Sequence, residues 1–124
     1  MSKRNVVHVE IPAANVEGAG KFYEALFGWK LLHFPEMKYT MWEAEDGSGG
    51  GFPEVSAENP AGQVLVYIDS DDIEADLKKV EKLGGKVLYQ KTEIPGTGWF
   101  GIFKDLTGNV LGLYTSTNLA NNQV

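Results

Sequence analysis

Two residues near the start of the chain carry the first chemical suggestion. His8 and Glu10 stand two apart in VVHVEIP, and positions i and i+2 of an extended strand share a face. A histidine and a carboxylate held side by side can act as base and acid, or can anchor a polar ligand. The plainer alternative is a hydrogen-bonded pair that fills a partly wet interior. What the sequence lacks narrows the chemistry further. It has no cysteine, which excludes disulfides, thiolate nucleophiles, zinc–thiolate sites and iron–sulfur clusters. His8 and His33 are the only two histidines in 124 residues. No serine, histidine and aspartate pattern points to nucleophilic catalysis. The glycine-rich DGSGGG (46–51) lacks the Lys-Ser/Thr ending of a phosphate loop and does not lead from a strand into a helix, so it reads as a turn or a lid.

The elements that must hold these residues follow from periodicity. VVHVEI reads as a strand with Val7, Val9 and Ile11 on one face and His8 and Glu10 on the other. Pro12 ends it, Asn15 is an N-cap, and Val16, Ala19, Phe22/Tyr23 and Leu26/Phe27 have helical spacing up to the stop at Gly28. WKLLHF and YTMWEA are strands about a turn at Pro35, and a short strand is expected near Gly50–Val55. VLVYID opens a second series. Asp71 and Asp72 start a helix with Ile73, Leu77, Val80 and Leu83 on one face, Gly84-Gly85 ends it, and KVLYQ, WFGIF and NVLGLYT follow as strands. Lys78, Lys79, Glu81 and Lys82 form a solvated helix face.

The second series repeats the first at an offset of 57 residues. Val9 then meets Val66, Ile11 meets Ile68, Asn15 meets Asp72, Leu26 meets Leu83 and Gly28 meets Gly85. Caps, core positions and helix stops coincide, as in a duplicated βαβββ unit. The units span about 5–55 and 62–116 of a single domain covering 1–124.

That repeat, with HVEIP…FYEALFGW in the first half and DLTGNVLGLY near the end, resembles the vicinal oxygen chelate superfamily of glyoxalases, bleomycin-resistance proteins and extradiol dioxygenases. The resemblance implies an α+β fold in which two βαβββ units form a curved eight-stranded cup around a small-molecule site, in a homodimer. It also implies a divalent metal held by side chains from the first and last strands of each unit. His8 is the only matching ligand position. Leu65 stands at its counterpart in the second unit, and Gly112 replaces the glutamate of the usual G-N-x-x-E-L. In the first unit the register of GGGFPEV is open, with Glu54 a poor candidate. Catalytic zinc normally keeps three protein ligands, and a facial-triad iron needs two histidines and a carboxylate. No metal site or other cofactor is therefore expected, with a divalent metal at His8 as the alternative.

The resemblance points Leu65, Tyr67, Gly112 and Tyr114 into the cup, and places Trp42 and Trp99 near its rim, to stack on a planar ligand or else to be buried between sheets. With no glutamate side chain at Gly112, space is expected there for an uncharged, partly aromatic ligand. His8 and Glu10 remain the catalytic candidates. A net charge of −6 with no basic patch argues against nucleic acid or an anionic membrane as partner. The apolar stretch of MSKRNVVHVEIP is too short for a signal peptide or membrane span, so a cytoplasmic protein is expected. Two functions stand open: a metal-free small-molecule-binding protein, or a glyoxalase-like lyase, isomerase or dioxygenase working around His8.

Overall fold

The structure, a computed structural model, describes residues 2–117. The chain divides into two compact units, one of residues 7–66 and one running from Tyr67 onward together with the N-terminal residues up to Val6. The first follows the order β1 (Val6–Glu10), α1 (Val16–Phe27), β2 (Lys30–Phe34), β3 (Tyr39–Glu43) and β4 (Gly49–Phe52). The second follows β5 (Leu65–Asp69), α2 (Ile73–Lys82), β6 (Lys86–Ile94), β7 (Gly98–Lys104) and β8 (Val110–Ser116). Laterally the strands run β2-β3-β4-β1 in the first unit and β5-β8-β7-β6 in the second. The fold is α+β, built from two βαβββ units as the repeat predicts.

Each helix is fixed by local chemistry. The Asn15 side chain accepts from Gly18 N at 2.8 Å, and Gly28 closes α1 with φ +73, a left-handed conformation that costs glycine little. Asp72 accepts from Ala75 N at 3.0 Å, Glu74 and Asp76 lie in the first turn of α2, and Lys79 and Lys82 lie in its last, as the helix dipole favours. Both helices cover one face of their own strands. Under α1 the core is Ala13, Trp42 and Phe52, with Val9, Ile11, Tyr23, Trp29 and Leu31 packed against it. Trp29 and Trp42 stack with centroids 3.8 Å apart. Under α2 it is Ile73, Leu77 and Leu113, joined by Ile68, Val87, Trp99 and Phe103. Here α2 lies so close to β7 that a Cβ on Gly101 would come within 2.9 Å of Ile73.

Several expectations change. Phe22, Leu26 and Phe27 are more than half exposed, because a helix that meets its strands along one stripe buries Tyr23 and leaves their side outward. Leu83 is 67% exposed, since it caps α2 and does not extend its buried face. Val7 is exposed where Val9 is not. The glycine-rich stretch is no lid: Ala44–Ser48 form a turn, Gly49–Phe52 pair as β4, and Glu54 makes an isolated parallel bridge to Ala13.

The N-terminal residues are tied to the second unit by side chains. Nη1 and Nη2 of Arg4 both donate to the Asp76 carboxylate, the second at 3.1 Å, and the hydroxyl of the fully buried Ser70 donates to it at 2.6 Å. Burial pushes the Asp76 carboxyl up, but hydrogen bonds from Arg4 and Ser70 and the charge of Arg4 outweigh it and hold it below the usual range. A carboxyl depressed in the folded state stabilises above its unfolded pKa and loses that contribution as pH falls through its folded value. A double-mutant cycle with Arg4→Ala and Asp76→Asn, followed by urea unfolding, should therefore give a coupling of about 0.2–1 kcal/mol near neutral pH. That coupling should vanish under acid conditions, once Asp76 protonates.

Candidate functional site

In each unit the first strand pairs in parallel with the last. Glu10 sits opposite Gly51, and Tyr67 sits opposite Gly112. The turns that lead into the last strands match as well. Ala44 N bonds to Ser48 O and Gly47 N to Ala44 O in one, and Asp105 N bonds to Asn109 O and Gly108 N to Asp105 O in the other. This closes the register left open by the sequence: Gly51, not Glu54, is the counterpart of Gly112. Both last-strand ligand positions are glycines.

Neither glycine leaves a vacancy. A Cβ on Gly112 would lie 2.4 Å from Cδ2 of Tyr67, and one on Gly51 would lie 1.8 Å from the Tyr39 hydroxyl. Tyrosine rings of the same unit occupy the space where a glutamate side chain would begin. The expectation of ligand space at Gly112 is thus corrected: the Tyr67 ring fills it.

Above Gly51 three polar groups meet. The Tyr39 hydroxyl donates to Glu10 Oε2 at 2.8 Å and lies 2.8 Å from His8 Nε2, while His8 Nε2 and Glu10 Oε2 are 3.7 Å apart. Their side chains are largely covered, His8 at 23% and Glu10 at 16% exposed. A phenol has one proton. With that proton on the bond to Glu10, its oxygen accepts from His8 Nε2–H. Tyr39, at the head of β3 and 31 residues from His8, was not among the residues singled out by sequence. Its only local signal is the Pro35 turn before it, which folds β3 back antiparallel on β2. His8 also lines a cleft of about 310 Å³ in the first unit, with Val7, Leu32, Met41, Glu43 and Gly49. A larger groove of about 810 Å³ runs past the start of α1, His33 and Glu54. It is edged by Lys21, Glu24 and Lys38, and His33 there is bonded to Thr40 Oγ1 at 2.9 Å. The smaller cleft is the one that holds the relay's histidine.

The other candidates separate by strand parity. Trp42 is 7% exposed, packs in the core under α1 and stacks on Trp29, and it also lines the His8 cleft. Its indole N–H has no hydrogen-bond partner among the described residues. Trp99 packs toward α2, with Lys91 Nζ 4.7 Å above its ring. The sequence leaves rim and core open for both, because YTMWEA and WFGIF do not show their parity plainly. Leu65 is buried and alternates onto the same face of β5 as Tyr67. By register with β7 and β8, Tyr67, Gly112, Tyr114, Phe100 and Ile102 share the face turned away from α2. Tyr114 donates to Thr97 O at 3.2 Å, and burial pushes its phenol above the usual value.

The residues do not fit a bound divalent metal. Among the described residues no three of His, Cys, Asp and Glu gather into a metal-holding group, and tyrosine rings cover both glycine positions. Gly112→Glu should accordingly lower thermal stability, by an overpacking cost of about 1–3 kcal/mol, without creating metal affinity. Adding Tyr67→Ala should recover part of that loss in a thermal melt, because it removes the atoms the new Cβ meets.

Residues 5–113 match the Glyoxalase/Bleomycin resistance protein/Dioxygenase superfamily. A glyoxylase-like domain-containing protein of Didymella fabae is 34% identical over 118 residues, covering 86% of this chain and 90% of that protein. A Streptomyces coelicolor methylmalonyl-CoA epimerase in complex with 2-nitronate-propionyl-CoA superposes with a TM-score of 0.69 at 20% identity, over 92% of this chain and 95% of its own. A glyoxalase/bleomycin resistance protein/dioxygenase superfamily member from Vibrio splendidus 12B01 gives 0.68 at 13% identity, over 90% and 98%. At those identities the two structures speak for the fold, and the family match and the Didymella fabae relative speak for kinship: this chain belongs to the glyoxalase/bleomycin resistance protein/dioxygenase superfamily.

Proposed function

We propose that this protein binds a small molecule without using the metal site of its superfamily. The observation carrying the reading is the replacement of both last-strand ligands by glycines that lie under tyrosine rings. The proposed contact surface is the His8 cleft, which Leu32, Met41 and Trp42 line together with Lys30 and Glu43. Tyr67 and Tyr114, with Leu65 and Gly112, are proposed to form an apolar and aromatic face in the second unit. The homodimer and the cytoplasmic setting belong to the same proposal. No helix among the described residues is long and apolar enough to cross a membrane. The acyl-CoA ligand bound to the epimerase is consistent with a scaffold that holds small organic molecules.

A second reading, a lyase, isomerase or dioxygenase, is favoured by one observation. The His8–Tyr39–Glu10 arrangement joins a base and a carboxylate through a shared hydroxyl, which suits acid–base chemistry. Metal content of the purified protein and thermal shifts with Ni, Zn, Mn and Fe(II) separate the readings. A metal at one hundred times its Kd would stabilise the native state by about 2.7 kcal/mol. The binding reading expects sub-stoichiometric metal and no shift. Near-stoichiometric metal, or a shift abolished by His8→Ala, would overturn it in favour of the enzyme.

A further inference from the structure

We infer that the sheet face of the second unit turned away from α2 binds a small molecule with an aromatic body and an anionic group, and that Lys86 and Lys104 hold the anion. The inference deepens the small-molecule binding proposed for that face and rests on it. Lys86, at the head of β6, stands directly opposite Lys104, at the end of β7. Side chains so placed in an antiparallel pair begin about 4.5–5.5 Å apart, and two like charges there are destabilising. Among the described residues neither lysine forms an ion pair.

The structural reasons for such a pair do not cover it. A lysine on an edge strand discourages pairing with another chain, and β6 is an edge. Lys104 lies on β7, between β8 and β6, where there is no edge to guard. The carboxylate next to it in sequence, Asp105, is engaged by its own turn: it accepts from the backbone N–H groups of Thr107, Gly108 and Asn109 and from the Asn109 side chain. In a chain with 17 acidic and 11 basic residues, two such cations side by side are a local reversal of sign. Register gives their surroundings. Lys104 pairs with Val110, Ile102 with Gly112 and Phe100 with Tyr114, all on the face away from α2, and Tyr89 of β6 is opposite Ile102. The Tyr89 and Phe100 rings have centroids 6.3 Å apart, and Tyr89 is 42% exposed. A planar body stacked on those rings is close to the lysines, because two residues along a strand span about 6.8 Å. Asp69, opposite Tyr114 at the other end of the face, repels the same anion and so sets the direction in which the ligand lies.

Titrating 2-naphthoate and its uncharged counterpart 2-naphthamide into labelled full-length protein, followed by backbone amide NMR, tests the site. Naphthoate should shift the amides around Lys86, Tyr89, Phe100 and Lys104, and naphthamide should bind there about tenfold more weakly. Lys86→Gln and Lys104→Gln should each weaken naphthoate by about threefold to fivefold and leave naphthamide unchanged. Added NaCl should weaken naphthoate alone. Lys86 is exposed, so Lys86→Gln should fold, with a Tm equal to or above that of the wild type once the repulsion is gone. Equal binding of the two probes, or naphthoate binding indifferent to both lysine variants, would overturn the anion site and leave the aromatic face of the proposed function standing. A lowered Tm in Lys86→Gln would assign the pair to the fold and overturn its role in binding. No binding of either probe, or shifts confined to the first unit, would overturn this face as a binding surface, whereas the metal-free character of the protein is decided separately by metal content.

Discussion

Most of what is distinctive here depends on the close parallel pairing of the first and last strands within each unit. At Gly50 the backbones approach so tightly that a Cβ would fall 1.6 Å from the Val9 carbonyl oxygen. Main-chain contact of that kind demands glycine and excludes any residue that could project a ligand from that point. It also fixes what stands opposite the next position. Glu10 faces Gly51 in one unit and Tyr67 faces Gly112 in the other. Both bare positions must be covered, because a void against packed neighbours forfeits dispersion contacts on one side.

The two units cover theirs by different routes. In the second, the strand partner itself supplies the cover, the Tyr67 ring lying against Gly112, and the surrounding face is apolar with Phe100 and Ile102. In the first, the partner is a carboxylate, and the ring arrives from β3 as Tyr39. A covered carboxylate is costly unless hydrogen bonds replace its water. Tyr39 provides one, and His8 stands 3.7 Å away. The chemistry of the site is thus a consequence of which strand delivers the tyrosine.

Local signals made much of this legible beforehand. Asn15, Gly28 and Asp72 mark helix ends by side-chain and backbone chemistry that acts within three or four residues. The alternation of VVHVE correctly sets His8 and Glu10 together, and the 57-residue offset reveals the doubled unit. That offset fails at the last strands, where Gly51 and Gly112 are 61 apart because the second unit carries a longer β6–β7 hairpin. A run of three glycines has no side chains from which to read a register, so the sequence leaves it open there, with Glu54 a poor candidate. For Trp42 and Trp99 the sequence leaves rim and core open, because tryptophan type alone does not reveal which face of an apolar strand it takes. Tyr39 was invisible for a deeper reason. Its partners are 29 and 31 residues away, and only the folded pairing of β3, β4 and β1 brings them within hydrogen-bond reach.

The second unit also serves as an internal control on why the polar trio exists. At the positions equivalent to His8 and Glu10 it carries Leu65 and Tyr67, with the same parallel pairing and an equivalent glycine. An apolar solution to this packing problem is therefore available to the fold and is used within the same chain. Burying a histidine, a phenol and a carboxylate together is a harder solution, since each needs hydrogen-bonding partners in place of water. Stability alone does not account for that choice when leucine and tyrosine would pack the same site. The same low dielectric strengthens each hydrogen bond in the chain from His8 to Glu10 and resists rotation of any member. What the first unit has over the second is thus a hydrogen-bonded polar trio beside a cleft that His8 lines.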